Sequence, residues 1–153
     1  MRNIMKMADT ERFKLYCATY LILIKENKIL LLRRFNTGWE DGKYTLISGH
    51  LERGETVKQA MIREVEEETG VKINGEDLKV VHTMHRKSDD REYIDFFLTA
   101  DKWNGEPKIA EPDKCDEMKW FYLNNLPQNL LPHIRKAIES FQHNISFSEV
   151  GWD

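Results

Sequence analysis

An α/β domain is the fold class that the sequence predicts, and three observations carry it. Short β-branched and apolar runs recur on both sides of one well-delimited helical stretch. An amphipathic helical stretch follows the last of those runs. The chain, 153 residues long, has the size of a domain built around one core, so residues 1–153 are read as a single domain.

The first element is the run Tyr-Cys-Ala-Thr-Tyr-Leu-Ile-Leu-Ile at 16–24, continuous enough in apolar and β-branched side chains for a buried strand. The polar Lys25-Glu26-Asn27-Lys28 interrupts it and residues 29–32 resume it, so the two runs read as a hairpin. Gly38 and Gly42 with Asn36 and Asp41 mark 36–43 as a loop leading to a short strand at 44–47. A helix is expected over about 56–69, because Thr56 followed by Gln59 fits a capping box and Gly70 offers a left-handed stop. Residues 78–84 and 93–100 read as a second hairpin, joined by the charged stretch 86–91. A strand at 118–122 precedes Leu-Pro-Gln-Asn. Behind Pro132, Ile134, Ala137, Ile138 and Phe141 recur at helical spacing, which gives a closing helix at about 130–142. Residues 144–153 show no period and receive no assignment, and no internal repeat or low-complexity tract is found.

Composition narrows the function classes. Charged residues make up 32% and hydrophobic residues 41%, the balance of a folded protein in water, and no apolar run approaches the length that spans a bilayer. Residues 1–13 alternate charge with methionine and lack an apolar h-region, so no secretory signal is expected and the cytoplasm is the expected compartment. Cys17 and Cys115 are far apart and lack metal-ligand spacing, which suits reduced packing residues. A net charge of -3 argues against a protein that coats nucleic-acid backbone, while a small phosphorylated ligand needs only a few local cations.

The chemistry gathers on the first helix. Val57, Ala60 and Met61 share a face there, and continuing that face brings up Glu64, Glu67 and Glu68. Three carboxylates at i, i+3 and i+4 repel one another and also oppose the negative end of the helix dipole. A hard divalent cation removes that conflict, because Mg2+ takes a few carboxylate oxygens and completes its shell with water and phosphate oxygens. An acidic trio alone would read as a solvated face. Its surroundings decide the matter.

Written out, the segment is Gly49-x5-Glu55-x7-Arg63-Glu64-Val65-x-Glu67-Glu68-x-Gly70-Val71, and it resembles the Nudix box at every specified position. Seven fixed identities at about one in fifteen each make a chance match in such a chain of order one in a million. The resemblance covers 49–71 directly and implies a mixed β-sheet sandwiched between α-helices, an α/β/α arrangement that agrees with the element order above.

The resemblance also implies roles. Glu64, Glu67 and Glu68 are the expected ligands of Mg2+, with Mn2+ a substitute, and the backbone carbonyl of Gly49 adds a further ligand. Glu55 and Arg63 are expected as a structural pair tying loop to helix, with a water-mediated metal contact for Glu55 as the alternative. The family takes its general base either from the box helix, here Glu64, or from a later loop. Trp103-x-Gly-Glu-Pro-x3-Glu111 resembles that loop in MutT-type enzymes, so Glu111 is the second candidate, and Glu64, Glu67 and Glu111 form the catalytic set. Arg34, Arg86, His50 and His85 are candidates for phosphate contact. On the strand face Tyr93, Asp95, Phe97, the aspartate stands between aromatics and is a candidate ligand contact or a solvated residue. Trp39, Tyr44, Tyr93, Phe97 and Trp120 offer rings for a base or for the core.

Beside the box the chain departs from many relatives. Ile47 and Ser48 stand where these carry Pro and Gly, and Ser48-Gly49-His50-Leu51-Glu52, with Glu111-Pro112-Asp113-Lys114-Cys115 and Trp120-Phe121, is similar to a MutT-like subgroup. No proline follows the box before Pro107, which speaks against ADP-ribose and leaves nucleoside triphosphates as the leading substrate class. The expected activity is metal-dependent hydrolysis of the diphosphate linkage in a nucleoside triphosphate or related nucleoside diphosphate derivative. A non-catalytic nucleotide-sensing module and an RNA 5'-end pyrophosphohydrolase are the alternatives, the latter requiring more than Arg33, Arg34, Lys87 and Arg91. Homodimers are common among such enzymes, and that expectation rests on no residue of this chain.

Overall fold

Alternating side chains on two central strands set the architecture. Ala18, Tyr20 and Ile22 of β1 (Tyr16–Ile22) and Ile29 and Leu31 of β3 (Lys28–Arg34) enter one core. Leu21, Leu30 and Leu32, from the opposite faces of the same strands, enter another. The first core is covered by α2 (Pro132–Gln142) through Ile134, Ala137 and Ile138, and the second by α1 (Val57–Thr69) through Met61 and Val65. The result is the expected α/β/α sandwich. The computed structural model describes residues 12–153. Residues 1–11 of the stretch read as lacking a secretory signal lie outside the described residues.

Two sheets form the middle layer. One has the order β5-β1-β7-β6-β9, with β5 (Ile47–His50), β6 (Leu78–Ser88), β7 (Arg91–Ala100) and β9 (Phe147–Val150). The other joins β2 (Ile24–Lys25), β3 and β4 (Tyr44–Thr45), with β8 (Cys115–Tyr122) on the free side of β3.

The first hairpin differs from expectation, because only its end, β2 with β3, pairs as a hairpin. β1 pairs with β5 and, in parallel, with β7, while β3 pairs with β2, β4 and β8. The apolar run crosses from one sheet to the other at Leu23, then turns back through Glu26 and Asn27, both at positive φ, 54° and 63°. Those dihedrals suit a tight two-residue hairpin between β2 and β3. Hydrophobic period reports which faces are buried and is blind to partners. The 44–47 strand likewise splits at buried Leu46, with Tyr44–Thr45 on β3 and Ile47–His50 on β1.

The β6–β7 hairpin is present, but its strands run through the charged stretch to a turn at Asp89 and Asp90. Arg86 points inward there and meets Asp95 of β7 in a buried ion pair at 2.6 Å, so its charge does not mark a loop. The unassigned tail forms β9, parallel to β6. His82 bonds the Ile145 carbonyl at 2.7 Å and Ser148 Oγ at 2.8 Å, and Trp152 Nε1 donates to the His85 carbonyl at 3.1 Å. Among the described residues no helix is long and apolar enough to cross a membrane. Cys17 and Cys115 are free thiols.

Local signals fix both helices. Thr56 accepts from the Gln59 N–H at 3.1 Å while the Gln59 side chain accepts from the Thr56 N–H at 2.9 Å, and Gly70 ends α1 at φ 75°. Pro132 opens α2, where its missing N–H costs nothing.

His133 on α2 is buried at 9% exposure, edge-on to Tyr20, and burial pushes its pKa down from 6.5 to about 3, with Arg86 and Arg34 adding to the shift. The unfolded chain therefore takes up a proton near pH 6.5 that the folded chain refuses until about pH 3, and stability falls as pH drops through that window. His133→Gln is expected to lose less stability than the parent between pH 6.5 and 4, by an order of a few kcal/mol. Urea unfolding across that range measures the difference.

Candidate active site

The site is built where the carboxyl end of α1 meets β5. β5 pairs antiparallel with β1, Ser48 opposite Tyr20 and Gly49 opposite Thr19, which fixes the Ser48-Gly49-His50 backbone against the helix. Arg63 ties helix to loop. Its Nε donates to Glu55 Oε2 at 2.7 Å and its Nη2 to Glu55 Oε1 at 2.9 Å, a two-pronged pair, while Nη2 also reaches the His50 carbonyl at 3.1 Å. This partner holds the Glu55 carboxyl down at about 2. The expected Glu55 and Arg63 pair is thus formed.

The acidic stripe divides. Glu64, with its side chain 15% exposed, and half-buried Glu68 face β5, whereas Glu67 is 51% exposed and turned to the outer side. Glu64 accepts from Arg63 Nη1 at 2.7 Å, and Glu67 lies 3.5 Å from the same nitrogen. Glu68 receives a 3.4 Å bond from the Ser48 N–H. Burial pushes the carboxyls of Glu64 and Glu68 up, and for Glu68 the charge of Glu64 adds to the effect. A Cβ built at Gly49 would fall on the Glu64 carboxylate, so the absence of a side chain at Gly49 makes the room in which Glu64 sits.

Glu111 joins the group because its loop is anchored to the helix end. The Ala110 N–H donates to the Glu68 carbonyl and the Lys108 N–H to the Thr69 carbonyl, both at 3.1 Å, which satisfies carbonyls that α1 leaves open. Glu111 follows directly and adds its negative charge to the field at both Glu64 and Glu68. Its nearest cation, Lys114 Nζ, is 3.8 Å away.

Glu64, Glu68 and Glu111 therefore share one corner with Glu67 on its outer side, and Arg63 spends two bonds on Glu55. That donor set, all hard oxygen and short of positive charge, fits a divalent cation. Among the described residues no three His, Cys, Asp or Glu side chains already converge as a ligand sphere, since Glu64 is drawn to Arg63 and Glu67 outward.

Two adjoining clefts open beside this corner and share Arg34 and Ser48. One, of about 450 Å³, is lined by Glu68, Glu111, Lys114 and Cys115 among others. The other, of about 590 Å³, is lined by Gly49, His50, Arg86 and Tyr93, and by Trp39 and the Asp89-Asp90 turn. Arg34, His50, Arg86 and Tyr93 are thus brought together. Asp95 is not, for it is fully buried beneath Arg86, which donates to it from Nε at 2.6 Å. His85 lies against Trp152 at 4.6 Å, away from both clefts. The Ser48 N–H as donor to Glu68 was not expected, although Ser48 stands inside the departure beside the box.

Gly49→Ala is expected to lower kcat/KM by about 10- to 100-fold, the range seen when support for a metal ligand is lost. Thermal melting in chelator is expected to change little, and steady-state kinetics with a melting curve test both halves.

A family model described as the NUDIX domain matches residues 16–141. The chain is 34% identical over 144 residues to the ADP-ribose pyrophosphatase of Methanocaldococcus jannaschii, covering 92% of this chain and 83% of that one. It is 31% identical over 125 residues to the 8-oxo-dGTP diphosphatase of Escherichia coli K12, covering 80% of this chain and 95% of that protein. Among solved structures, the MutT NUDIX hydrolase from Burkholderia pseudomallei superposes with a TM-score of 0.76 at 27% identity, covering 83% of this chain and 98% of that one.

Proposed function

The chain belongs to the Nudix family and is a MutT-like pyrophosphohydrolase, and from that premise we propose that it cleaves the diphosphate linkage of a nucleoside triphosphate or related nucleoside diphosphate derivative, with Mg2+ held by Glu64, Glu67 and Glu68. The observation that carries this reading is that Glu68 and Glu111 line one of two adjoining clefts, with Glu64 beside Glu68 at the end of α1. A bound divalent cation supplies charge stabilisation at the phosphate oxygens and activates the attacking water.

The chain's own residues do the rest. Glu68 and Glu64 hold acceptor oxygens toward the β5 backbone, and the Gly49 carbonyl adds a neutral one. Arg63 keeps α1 and the preceding loop in fixed relation, so the acceptors keep their spacing. Arg34, on the boundary of both clefts, offers its guanidinium to phosphate oxygens. Glu111 takes the proton from the attacking water, being the freer carboxylate, since the Arg63 bond occupies Glu64.

The archaeal relative is named for ADP-ribose and the bacterial one for an oxidised guanine nucleotide. A base-bearing diphosphate is common to both names, so the missing proline before Pro107 does not remove ADP-ribose from consideration. The test is release of phosphate and pyrophosphate from nucleoside triphosphates, oxidised nucleotides, ADP-ribose, nucleotide sugars and dinucleoside polyphosphates, with Mg2+ and with chelator. Metal-dependent turnover of one class supports the proposal and names the substrate. Tight binding without turnover across the panel would favour a sensing module instead.

A further inference from the structure

The segment that follows α2 is gripped along its length by β6. His82, 1% exposed, gives both ring nitrogens to it, one to the Ile145 carbonyl at 2.7 Å and one to Ser148 Oγ at 2.8 Å. The Thr83 N–H donates to the Ser146 carbonyl at 2.9 Å, and the parallel ladder runs from Thr83 opposite Phe147 to Arg86 opposite Val150. Beyond the ladder the chain stays against β6. Gly151 has φ 85°, and a Cβ built there would fall on the Lys87 carbonyl oxygen, so two backbones meet where no side chain fits. Trp152 comes next. Its Nε1 donates to the His85 carbonyl at 3.1 Å, its ring lies 4.6 Å from that of His85, and Lys87 Nζ stands 5.6 Å from its centroid.

These last contacts fall on either side of one residue. Side chains alternate along a strand, so His85 and Lys87 share the face where Trp152 lies, and Arg86 turns inward. Arg86 lines the larger cleft together with Ser88, Asp89, Asp90 and Arg91 of the adjoining turn. From inside, Asp95 holds its guanidinium. From outside, residues 151 and 152 meet the backbone of both its neighbours. Trp152 is 42% exposed, yet its ring and its N–H are both engaged on this one stretch of β6, behind the cleft wall and not in it.

We propose that Gly151 and Trp152 are positioning residues, which hold Arg86 and the 88–91 turn in place as one wall of the larger cleft and so set how tightly the substrate is held. The inference rests on the hydrolase reading. A wall that is in place only part of the time lowers apparent affinity by that fraction. The chemical step is left alone, because Glu68 and Glu111 line the other cleft.

The test is kcat and KM for the panel nucleotide with the highest kcat/KM, in the parent, Trp152→Ala, Trp152→Phe and Gly151→Ala. Amide hydrogen exchange of the same four proteins without ligand separates local loosening from global unfolding. Trp152→Ala is expected to raise KM about 2- to 12-fold, the ratio carried by one ordinary hydrogen bond, with kcat held and faster exchange confined to 85–91 and 145–152. Gly151→Ala is expected to act at least as strongly, since its methyl group meets backbone. Trp152→Phe keeps a ring beside His85 and loses the donor, and is expected to recover part of the loss. KM unchanged in both Trp152→Ala and Gly151→Ala, with the parent active, would overturn the positioning role and leave the hydrolase standing. So would a fall in kcat at constant KM, or faster exchange spread evenly over the core strands, the pattern of a merely structural role. A parent that hydrolyses nothing on the panel would overturn the hydrolase reading and this role with it.

Discussion

Glu68→Gln is expected to lower metal-dependent turnover by more than about 100-fold, beyond what loss of support around a metal ligand typically costs, while raising the melting temperature in chelator. The two effects have one cause. Glu68 is set against β5 beside Glu64, near Glu111, with a long bond from the Ser48 N–H as its hydrogen bond to the protein. An ionised carboxylate in that place suits a cation and burdens the fold without one. Glutamine keeps the shape and the acceptor oxygen but removes the charge. Glu67→Gln is expected to reduce turnover as well, with little gain in stability, because its side chain is half exposed and already solvated. Rates in Mg2+ and melting curves in chelator test the pair, and unchanged turnover in Glu68→Gln would remove that residue from the site.

Asp95→Ala is expected to destabilise the domain by about 3–5 kcal/mol, the usual cost of leaving one partner of a buried pair uncompensated. Asp95 has no exposure, and Arg86, itself 6% exposed, has in it its only carboxylate partner among the described residues. Burial pushes the Asp95 carboxyl up while Arg86 opposes the shift, so the pair depends on mutual contact. Replacing both residues, Arg86→Met with Asp95→Leu, is expected to recover much of the loss, since no unpaired charge then stays inside. Equilibrium unfolding in urea measures both variants. Equal destabilisation of the single and double variants would show that the pair contributes through packing and not through charge.

What could be read in advance was local. Thr56, Gln59 and Gly70 state the limits of α1 within fifteen residues of chain, and the box glutamates fall on it at fixed spacing, so helix and acidic corner were legible together. The sandwich was legible too, since β1 and β3 are apolar on both faces and need a cover on each side. Pairing was not. Leu23 and Leu46 look like interior strand residues, yet each marks a crossing between sheets, and only contacts with distant strands reveal it. The charge of Arg86 signalled a loop because its partner Asp95 arrives from the neighbouring strand. β9 was invisible for the same reason, its bonds running to His82 and β6 more than sixty residues away. Glu67 shared the predicted stripe but is half exposed, its carboxylate 3.5 Å from Arg63 Nη1.

The most direct test of the central claim, that the α1 carboxylates hold a divalent cation for diphosphate cleavage, is Mn2+ binding followed by electron paramagnetic resonance. The parent chain is compared with the triple variant Glu64→Gln, Glu67→Gln, Glu68→Gln. Saturable binding by the parent, lost in a folded triple variant together with turnover, is the predicted result. Equal Mn2+ binding by both proteins would contradict the assignment and move the metal away from the helix.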